Sequence, residues 1–198
     1  MSTPAGVVIP IRGFSGGKSR LGTLGPGRDW LVAEMASRVL AAARPLPVAV
    51  VTSAREVRAW AAASGVTVLD DPGSLDLAAV AGVAWVRSLG LPRAVIAHAD
   101  LPRARSLEGL ARDAGRPVVA AVPCHRDDGT PVLSVPTEAA FRFAYGPGSF
   151  RRHAAETRRL RLGFRVVRDP ALAHDVDDAE DLAGLGLLAD PHPASALG

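Results

Sequence analysis

Residues 7–21, Val-Val-Ile-Pro-Ile-Arg-Gly-Phe-Ser-Gly-Gly-Lys-Ser-Arg-Leu, decide the fold. The stretch begins with a short apolar run, which is typical of a strand buried on both faces of a parallel sheet. A glycine-bearing loop with Lys18 and Arg20 follows at once, and a helical pattern begins near Asp29. A strand, such a loop and a helix together place backbone N–H groups and cations around a polyphosphate. The stretch therefore predicts a nucleotide triphosphate at the end of this strand.

The loop does not match the P-loop pattern. Gly16-Gly17-Lys18-Ser19 supplies the Gly-Lys-Ser end, but Arg12 stands where the first glycine of the pattern belongs. Taken alone, the segment is equally consistent with a solvated loop that carries two surface cations, because Gly-Gly-Lys-Ser is common. The rest of the chain must decide between the two interpretations.

Length and composition limit the class of protein. With 198 residues, 48% of them hydrophobic and 22% charged, the chain has the composition of one soluble globular domain. We expect this domain over residues 1–190 and a flexible tail over residues 191–198. The formal net charge is +3, but the arginines are scattered and are not interleaved with aromatic residues. This pattern favours small anionic molecules over nucleic acid as partners.

Cysteine usage and apolar runs predict a cytoplasmic protein. The single cysteine, Cys124, excludes an intramolecular disulfide and suits a reducing compartment. The N-terminus lacks the basic segment and long apolar core of a signal peptide. No apolar run is long enough to span a bilayer, so we expect no membrane partner. The sequence leaves a monomer and a homodimer both open.

Strand and helix patterns alternate along most of the chain. Predicted strands cover residues 7–11, 48–52, 66–69, 94–97, 118–122, 132–135 and 164–167, and predicted helices cover residues 29–43, 54–63, 75–89, 106–114, 151–160 and 178–188. We expect Asp29, Ser53 and Asp178 to cap three of these helices. The alternation predicts an α/β fold, a Rossmann-like and mostly parallel sheet flanked by helices. Because ligands in such sheets bind beyond the carboxyl ends of the strands, Lys18, Asp70 and Asp100 should share one edge.

Two groups of aspartates suit a metal ion at that edge. Asp100 directly follows a buried strand, and the i, i+2 pair Asp175 and Asp177 points to one side of an extended segment. Mg²⁺ needs only one or two protein carboxylates, since phosphates and water complete its shell. Taken singly, each aspartate is better explained as a turn or cap residue. Together with Lys18 and Arg20 they favour Mg²⁺ and a triphosphate.

A third group contains small residues that suit an anion. Gly129-Thr130 and Gly146-Pro147-Gly148-Ser149 offer N–H groups and hydroxyls near a helix start, which suits the phosphate or carboxylate of an acceptor. Two ordinary turns explain the same residues equally well, with Ser149 as a helix cap and His153 as a surface residue of the helix. A Ser-His-Asp hydrolase is unsupported, because the sequence has no G-x-S-x-G elbow.

Seven short motifs occur in the order of one known family and span nearly the whole chain. They are Ile9-Pro10-Ile11-Arg12, Gly17-Lys18-Ser19-Arg20-Leu21, Ser74-Leu75-Asp76-Leu77-Ala78, Ala99-Asp100-Leu101-Pro102, Asp128-Gly129-Thr130, Tyr145-Gly146-Pro147-Gly148-Ser149 with His153, and Asp175-Val176-Asp177-Asp178-Ala179-Glu180-Asp181-Leu182. On these motifs the chain resembles the guanylyltransferases of deazaflavin coenzyme biosynthesis, which act on 2-phospho-L-lactate or phosphoenolpyruvate. The resemblance implies a nucleotidyltransferase fold of the glycosyltransferase-A type.

The resemblance also implies a reaction and a set of site residues. An oxygen of the acceptor phosphate attacks the α-phosphorus of GTP, and pyrophosphate is released. The implied residues are Arg12, Lys18, Arg20 and Asp76 for the nucleotide, Asp100, Asp175 and Asp177 for Mg²⁺, and Thr130, Gly146 and Ser149 for the acceptor. Lys18, Asp100 and Asp177 are the implied catalytic residues.

Two positions depart from the family pattern. Asp76 stands where the family usually has Asn, and Pro131 stands where it often has Asn after Gly-Thr. A carboxylate only accepts hydrogen bonds, and proline has no N–H to donate. These departures leave room for a different phosphorylated acceptor. They also leave open another nucleotidyltransferase of the same fold, of the molybdopterin or sugar-phosphate type, and a nucleotide-binding protein without turnover.

Overall fold

A computed structural model describes residues 5–15, 27–112, 117–174 and 176, with the backbone alone for residues 27 and 28. The strands are β1 (Gly6–Pro10), β2 (Val48–Val51), β3 (Thr67–Leu69), β4 (Arg93–Ala97), β5 (Val118–Val122), β6 (Val132–Pro136) and β7 (Gly163–Val166). The helices are α1 (Gly27–Ala43), α2 (Arg55–Ala63), α3 (Leu75–Ser88), α4 (Glu108–Ala111), α5 (Ser149–Arg159) and α6 (Pro170–Ala173). Every predicted strand is found within one residue of its expected bounds.

The strands form one seven-stranded sheet in the order β3-β2-β1-β4-β6-β5-β7. Strands β1 to β4 pair in parallel, as do β5 and β7, so the mostly parallel sheet is confirmed. Strand β6 runs antiparallel to both β4 and β5, which the sequence did not predict. Residues 123–131 are too few for the crossover that a parallel pair requires, so β6 must return beside β5 in the opposite direction.

Helix ends differ more from the predictions than strands do. Asp29 lies in the first turn of α1 and does not precede it, so its predicted role as a cap is wrong. Ser53 is not a cap either, because Ala54 occupies that position and donates its N–H to Thr52 Oγ1 at 3.1 Å. Helix α6 was not predicted. The helix predicted over residues 178–188 lies outside the described residues.

The core has two parts, one on each face of the sheet. Alternate residues of β1 supply both: Val7 and Ile9 pack with α1, α2 and α4, whereas Val8 packs with α3. Helix α3 approaches β1 closely, because a Cβ added to Gly82 would lie 2.3 Å from Val8 Cγ1. The missing side chain at Gly82 thus lets α3 lie directly on β1, and its first turn meets the carboxyl ends of the strands.

The described residues contain no helix that is both long and apolar enough to cross a lipid bilayer. Residues 177–198 lie outside the described part of the chain. The expected boundary at residue 190 and the tail after it therefore stay predictions.

Candidate functional site

A cleft of about 260 Å³ opens at the carboxyl ends of β1, β3 and β4. Its lining comprises Pro10, Ile11, Arg12, Gly13, Val32, Asp71, Ser74, Leu75, Ala78, His98, Ala99 and Asp100. The cleft lies at the edge where parallel sheets bind ligands. Of the two aspartates that follow β3, Asp71 lines the cleft, whereas the exposed Asp70 pairs with Arg58.

Arg12 gives the described part of the cleft its permanent positive charge. It directly follows Ile11, whose N–H donates to Val51 O at 2.9 Å and continues the pairing of β1 with β2. The Arg12 side chain is exposed within the cleft, where it can meet a phosphate. Lys18 and Arg20 lie outside the described residues, so their nucleotide-binding roles stay predictions.

Asp100 follows β4 and lines the cleft, partly buried. Its backbone carbonyl accepts a hydrogen bond from the N–H of the fully buried Val176 at 3.1 Å, so Val176 lies directly beside Asp100. Asp175 and Asp177, the two neighbours of Val176 in the sequence, lie outside the described residues. Within the described ranges no three His, Cys, Asp or Glu side chains form a group that could hold a metal ion. The Asp100 carboxylate nevertheless has the oxygen donors that Mg²⁺ requires.

A second group of polar residues lies buried beside the cleft. Thr130 Oγ1 and Ser149 Oγ are 3.2 Å apart, and His153 Nδ1 lies 3.1 Å from Thr130 Oγ1. His153 Nε2 accepts the N–H of Ala144 at 3.1 Å. All three side chains are at most 1% exposed. The structure therefore brings the predicted acceptor residues Thr130 and Ser149 together.

Two points about α5 in the alternative interpretation of ordinary turns are wrong. His153 is fully buried and is not a surface residue of the helix. Ser149 is the first residue of α5 and does not cap it, since Gly148 occupies the cap position with a φ of 74°. Glycine takes this left-handed conformation without strain. Ser149 is therefore the residue after the cap, and from there its hydroxyl reaches Thr130.

Burial changes the protonation of this group. It lowers the pKa of His153 to about 4, with Asp76 acting in the opposite direction and Arg152 adding to the decrease. His153 is thus neutral at physiological pH. Burial, with the nearby Asp76 charge, also raises the pKa of Tyr145 well above its ordinary value, so its phenol stays protonated.

One arginine holds the loop before α5, which contains the third predicted acceptor residue, Gly146. The Arg152 guanidinium donates to four successive carbonyl oxygens, those of Ala144, Tyr145, Gly146 and Pro147. The Gly148 N–H donates to Asp128 Oδ1 at 2.8 Å. The Arg152 guanidinium thus ties four successive residues of the loop to α5.

His98 and Tyr145 connect the two regions. The His98 ring lines the cleft and lies 5.4 Å from the Tyr145 ring, which in turn lies 4.9 Å from the His153 ring. The His98 N–H donates to Pro131 O at 2.9 Å, next to Thr130. Within the described ranges, His98 Nε2 and the Tyr145 hydroxyl are buried without a hydrogen-bond partner. Tyr145 belongs to one of the seven motifs, whereas the only sequence signal for His98 is its place directly before another motif.

Asp76 contacts Tyr145, between the cleft and the buried polar group, and does not line the cleft. It lies in the first turn of α3, and its Oδ1 accepts the Tyr145 N–H at 2.8 Å. The Asp76 carboxylate therefore holds the loop before α5 in the described structure. Its predicted contact with the nucleotide stays a prediction.

Solved structures support the fold. A provisionally assigned nucleotide-diphospho-sugar transferase from Desulfovibrio desulfuricans G20 matches with a TM-score of 0.75 at 16% identity, over 98% of this chain and 90% of its own. A CMP:2-keto-3-deoxy-manno-octonic acid synthetase complexed with CTP matches with a TM-score of 0.59 at 16% identity, over 93% and 98%. At these identities the likeness shows the fold alone, which is that of nucleotidyltransferases.

Relatives found by sequence similarity have more specific names than the solved structures. The phosphoenolpyruvate guanylyltransferase of Chloroflexus aggregans is 30% identical over 89% of this chain and 94% of its own. That of Conexibacter woesei is 33% identical over 93% and 87%. That of Roseiflexus castenholzii is 40% identical, but only over 46% of this chain and 42% of its own.

A family model described as "Guanylyl transferase CofC like" matches residues 5–192, which is nearly the whole chain. The match includes the cleft with Asp100 and the buried group of Thr130, Ser149 and His153. The expected nucleotidyltransferase fold and the resemblance found in the motifs are both confirmed. The chain belongs to the CofC-like guanylyltransferase family.

Proposed function

We propose that this chain transfers GMP from GTP to phosphoenolpyruvate, or to 2-phospho-L-lactate, and releases pyrophosphate in the biosynthesis of a deazaflavin coenzyme. One observation carries the proposal. A cleft with Arg12 and Asp100 adjoins the buried hydroxyl pair of Thr130 and Ser149, and the His98 segment connects them. The names of the relatives favour phosphoenolpyruvate as the acceptor.

The acceptor is proposed to bind at Thr130, Ser149 and Gly146. The two hydroxyls supply donors and the N-terminus of α5 supplies a positive dipole end, which suit a phosphate or a carboxylate. Helix α5 has 11 residues, long enough for its dipole to act. A small acid that carries both a phosphate and a carboxylate fits these donors better than a neutral acceptor.

GTP is proposed to occupy the cleft, with Arg12, Lys18 and Arg20 near its phosphates and Asp76 near the nucleoside. Asp100, Asp175 and Asp177 would hold Mg²⁺, and the hydrogen bond from Val176 to the Asp100 carbonyl supports this grouping. Mg²⁺ bound there would supply positive charge opposite the phosphate oxygens. Asp100 has the oxygen donors for this role, and Lys18 would steady the departing pyrophosphate.

The proposed reaction needs no covalent enzyme intermediate. An oxygen of the acceptor phosphate forms a bond to the α-phosphorus of GTP. The bond from that phosphorus to the bridging oxygen breaks, and its electron pair leaves on pyrophosphate. The acceptor phosphate is already ionised at neutral pH, so no general base has to remove a proton. The residues of the chain position the two reactants and balance their charge.

The test measures pyrophosphate released from GTP with phosphoenolpyruvate, 2-phospho-L-lactate or no acceptor, with Mg²⁺ and after its chelation. We expect acceptor-dependent release that chelation abolishes. Asp100→Asn keeps the side-chain shape but removes the charge, and should lower turnover about a hundredfold or more while the melting temperature holds. Asp70→Asn is the control, because the exposed Asp70 lies next to the cleft without lining it. GTP binding without release on either acceptor would refute the proposal.

A further inference from the structure

We propose that His153 is a positioning residue for the acceptor. It fixes the hydroxyls of Thr130 and Ser149 so that one hydroxyl hydrogen points out of the pair, toward an anionic oxygen of the acceptor. This inference rests on the proposed function, since it takes the acceptor to bind at these two hydroxyls.

The contacts of His153 select one tautomer. Nε2 faces the N–H of Ala144 and must accept that hydrogen bond, so it carries no hydrogen. A neutral imidazole has one N–H, which is therefore on Nδ1 and donates to Thr130 Oγ1. The other tautomer and the imidazolium would each place a hydrogen on Nε2 against the Ala144 N–H. The lowered pKa of His153 agrees with a neutral ring.

One hydroxyl hydrogen of the Thr130 and Ser149 pair is left without an acceptor. The His153 N–H is used on Thr130, and the contact between the two hydroxyls uses one of their two hydrogens, in whichever direction it runs. The remaining hydroxyl hydrogen, on Thr130 or on Ser149, has no acceptor within this group. A buried donor without an acceptor costs about 1–3 kcal/mol. The pair is thus prepared to donate to an anion.

The surroundings of His153 hold the ring in place. Its centroid lies 4.9 Å from that of Tyr145 at 76°, and 5.8 Å from that of Phe141. A rotation of the imidazole about the Cβ–Cγ bond would break the hydrogen bonds to Thr130 and to Ala144 at once. The orientation is therefore set by packing and by the two nitrogen contacts together, which is what a positioning role requires.

Two conservative variants separate the donor at Nδ1 from the acceptor at Nε2. The amide of His153→Asn reaches only to the Nδ1 position, so it can keep the donation to Thr130 while losing the contact to Ala144. The longer amide of His153→Gln reaches the Nε2 position, so it can accept from Ala144 but loses the donation. Both variants remove the ring, and glutamine is larger than asparagine by one methylene, so the loss of packing is greater in His153→Asn.

We expect the KM for phosphoenolpyruvate to stay within about threefold of the wild type in His153→Asn and to rise about tenfold or more in His153→Gln. The KM for GTP should hold within about twofold in both variants, because neither touches the cleft. Equal effects of the two variants on the acceptor KM, or a larger effect in His153→Asn, would overturn the inference.

Two measurements need no turnover. Nitrogen NMR of the wild type should show a protonated Nδ1 and an unprotonated Nε2 at pH 7, and the opposite tautomer would refute the inference. Calorimetric titration with phosphoenolpyruvate alone should show the same order of affinities, wild type and His153→Asn above His153→Gln. If the three proteins bind phosphoenolpyruvate with this order of affinities but the wild type releases no pyrophosphate, the proposed function fails and the positioning role stands. If the wild type does not bind it, the positioning role fails.

Discussion

Asp76 is one of the two positions at which the motifs of this chain depart from an expected asparagine, and the structure gives it a definite contact. Its Oδ1 accepts the Tyr145 N–H at 2.8 Å, 69 positions away in the sequence. This contact needs an acceptor only, which a carboxylate supplies as well as an amide does. Pro131 likewise uses its carbonyl, which accepts from His98, and does not need the N–H that proline lacks. Both residues thus accept a hydrogen bond in the described site.

Also at the residue scale, the buried His153 makes stability depend on pH. Its pKa is about 4 in the folded chain and near 6.5 when unfolded, so the unfolded chain takes up a proton first as the pH falls. The stabilisation is complete above pH 6.5 and is lost as the pH falls toward 4. We expect the free energy of unfolding to fall by about 2 kcal/mol between pH 7 and pH 5 through this residue.

Urea unfolding at both pH values measures this effect. The titratable groups that face His153 are Asp76 and Glu156, which raise its pKa, and Arg152 and His98, which lower it. Carboxylates also titrate in this range, so the decrease in His153→Asn is subtracted from that of the wild type. An equal pH dependence of the two proteins would contradict the prediction.

At the scale of elements, the first turn of α5 depends on the loop that precedes it. Arg152 leaves α5 and donates to the carbonyls of Ala144, Tyr145, Gly146 and Pro147, while Asp76 of α3 and Asp128 hold two N–H groups of the same loop. Three separate segments thus hold the carbonyl groups and the N–H groups of the loop before α5. The position of the Ser149 hydroxyl follows from this arrangement.

Arg152→Lys tests the contribution of the guanidinium. A lysine ammonium has three donors on one atom and cannot reach four carbonyls spread along a loop, so the loop should loosen. We expect the KM for phosphoenolpyruvate to rise about tenfold with little change in the KM for GTP. Steady-state kinetics measure both. Arg151→Lys, one residue earlier and exposed, is the control and should match the wild type.

At the scale of the whole molecule, one antiparallel strand joins two parts of the sheet. Strand β6 pairs with β4, at whose carboxyl end Asp100 lies, and with β5 on its other side. Arg93 lies at this junction, fully buried, and donates to Ser134 Oγ at 3.1 Å and to Val118 O at 2.8 Å. One side chain thus connects β4, β6 and β5.

Arg93→Met should therefore destabilise the whole sheet. It leaves buried acceptors on β5 and β6 without their donor, which should lower the free energy of unfolding by about 2–4 kcal/mol. Arg87→Met is the control. Arg87 also donates to a carbonyl, that of Thr137, but its side chain is 52% exposed and water can replace it. Urea unfolding should show one transition in both variants, and an equal loss in the two would contradict the prediction.

Local patterns in the sequence determined the elements and the edge at which ligands bind. Strands could be predicted within one residue because apolar runs bounded by glycine, proline or aspartate depend on neighbours along the chain. The expectation that the turn at Asp70 and the segment at Asp100 share one edge followed from the rule for parallel sheets. The motifs also indicated the family, which the matching family model confirms.

The tertiary structure decided what depends on contacts between distant residues. The direction of β6, the burial of His153, and the contacts of Asp76 with Tyr145 and of Arg152 with its loop all require knowing what lies across the sheet or beside the helix. A histidine or an aspartate has the same local sequence signal whether it faces water or a buried hydroxyl. Its neighbours in space set its tautomer, its charge and hence its chemistry, and those neighbours are fixed only when the chain has folded.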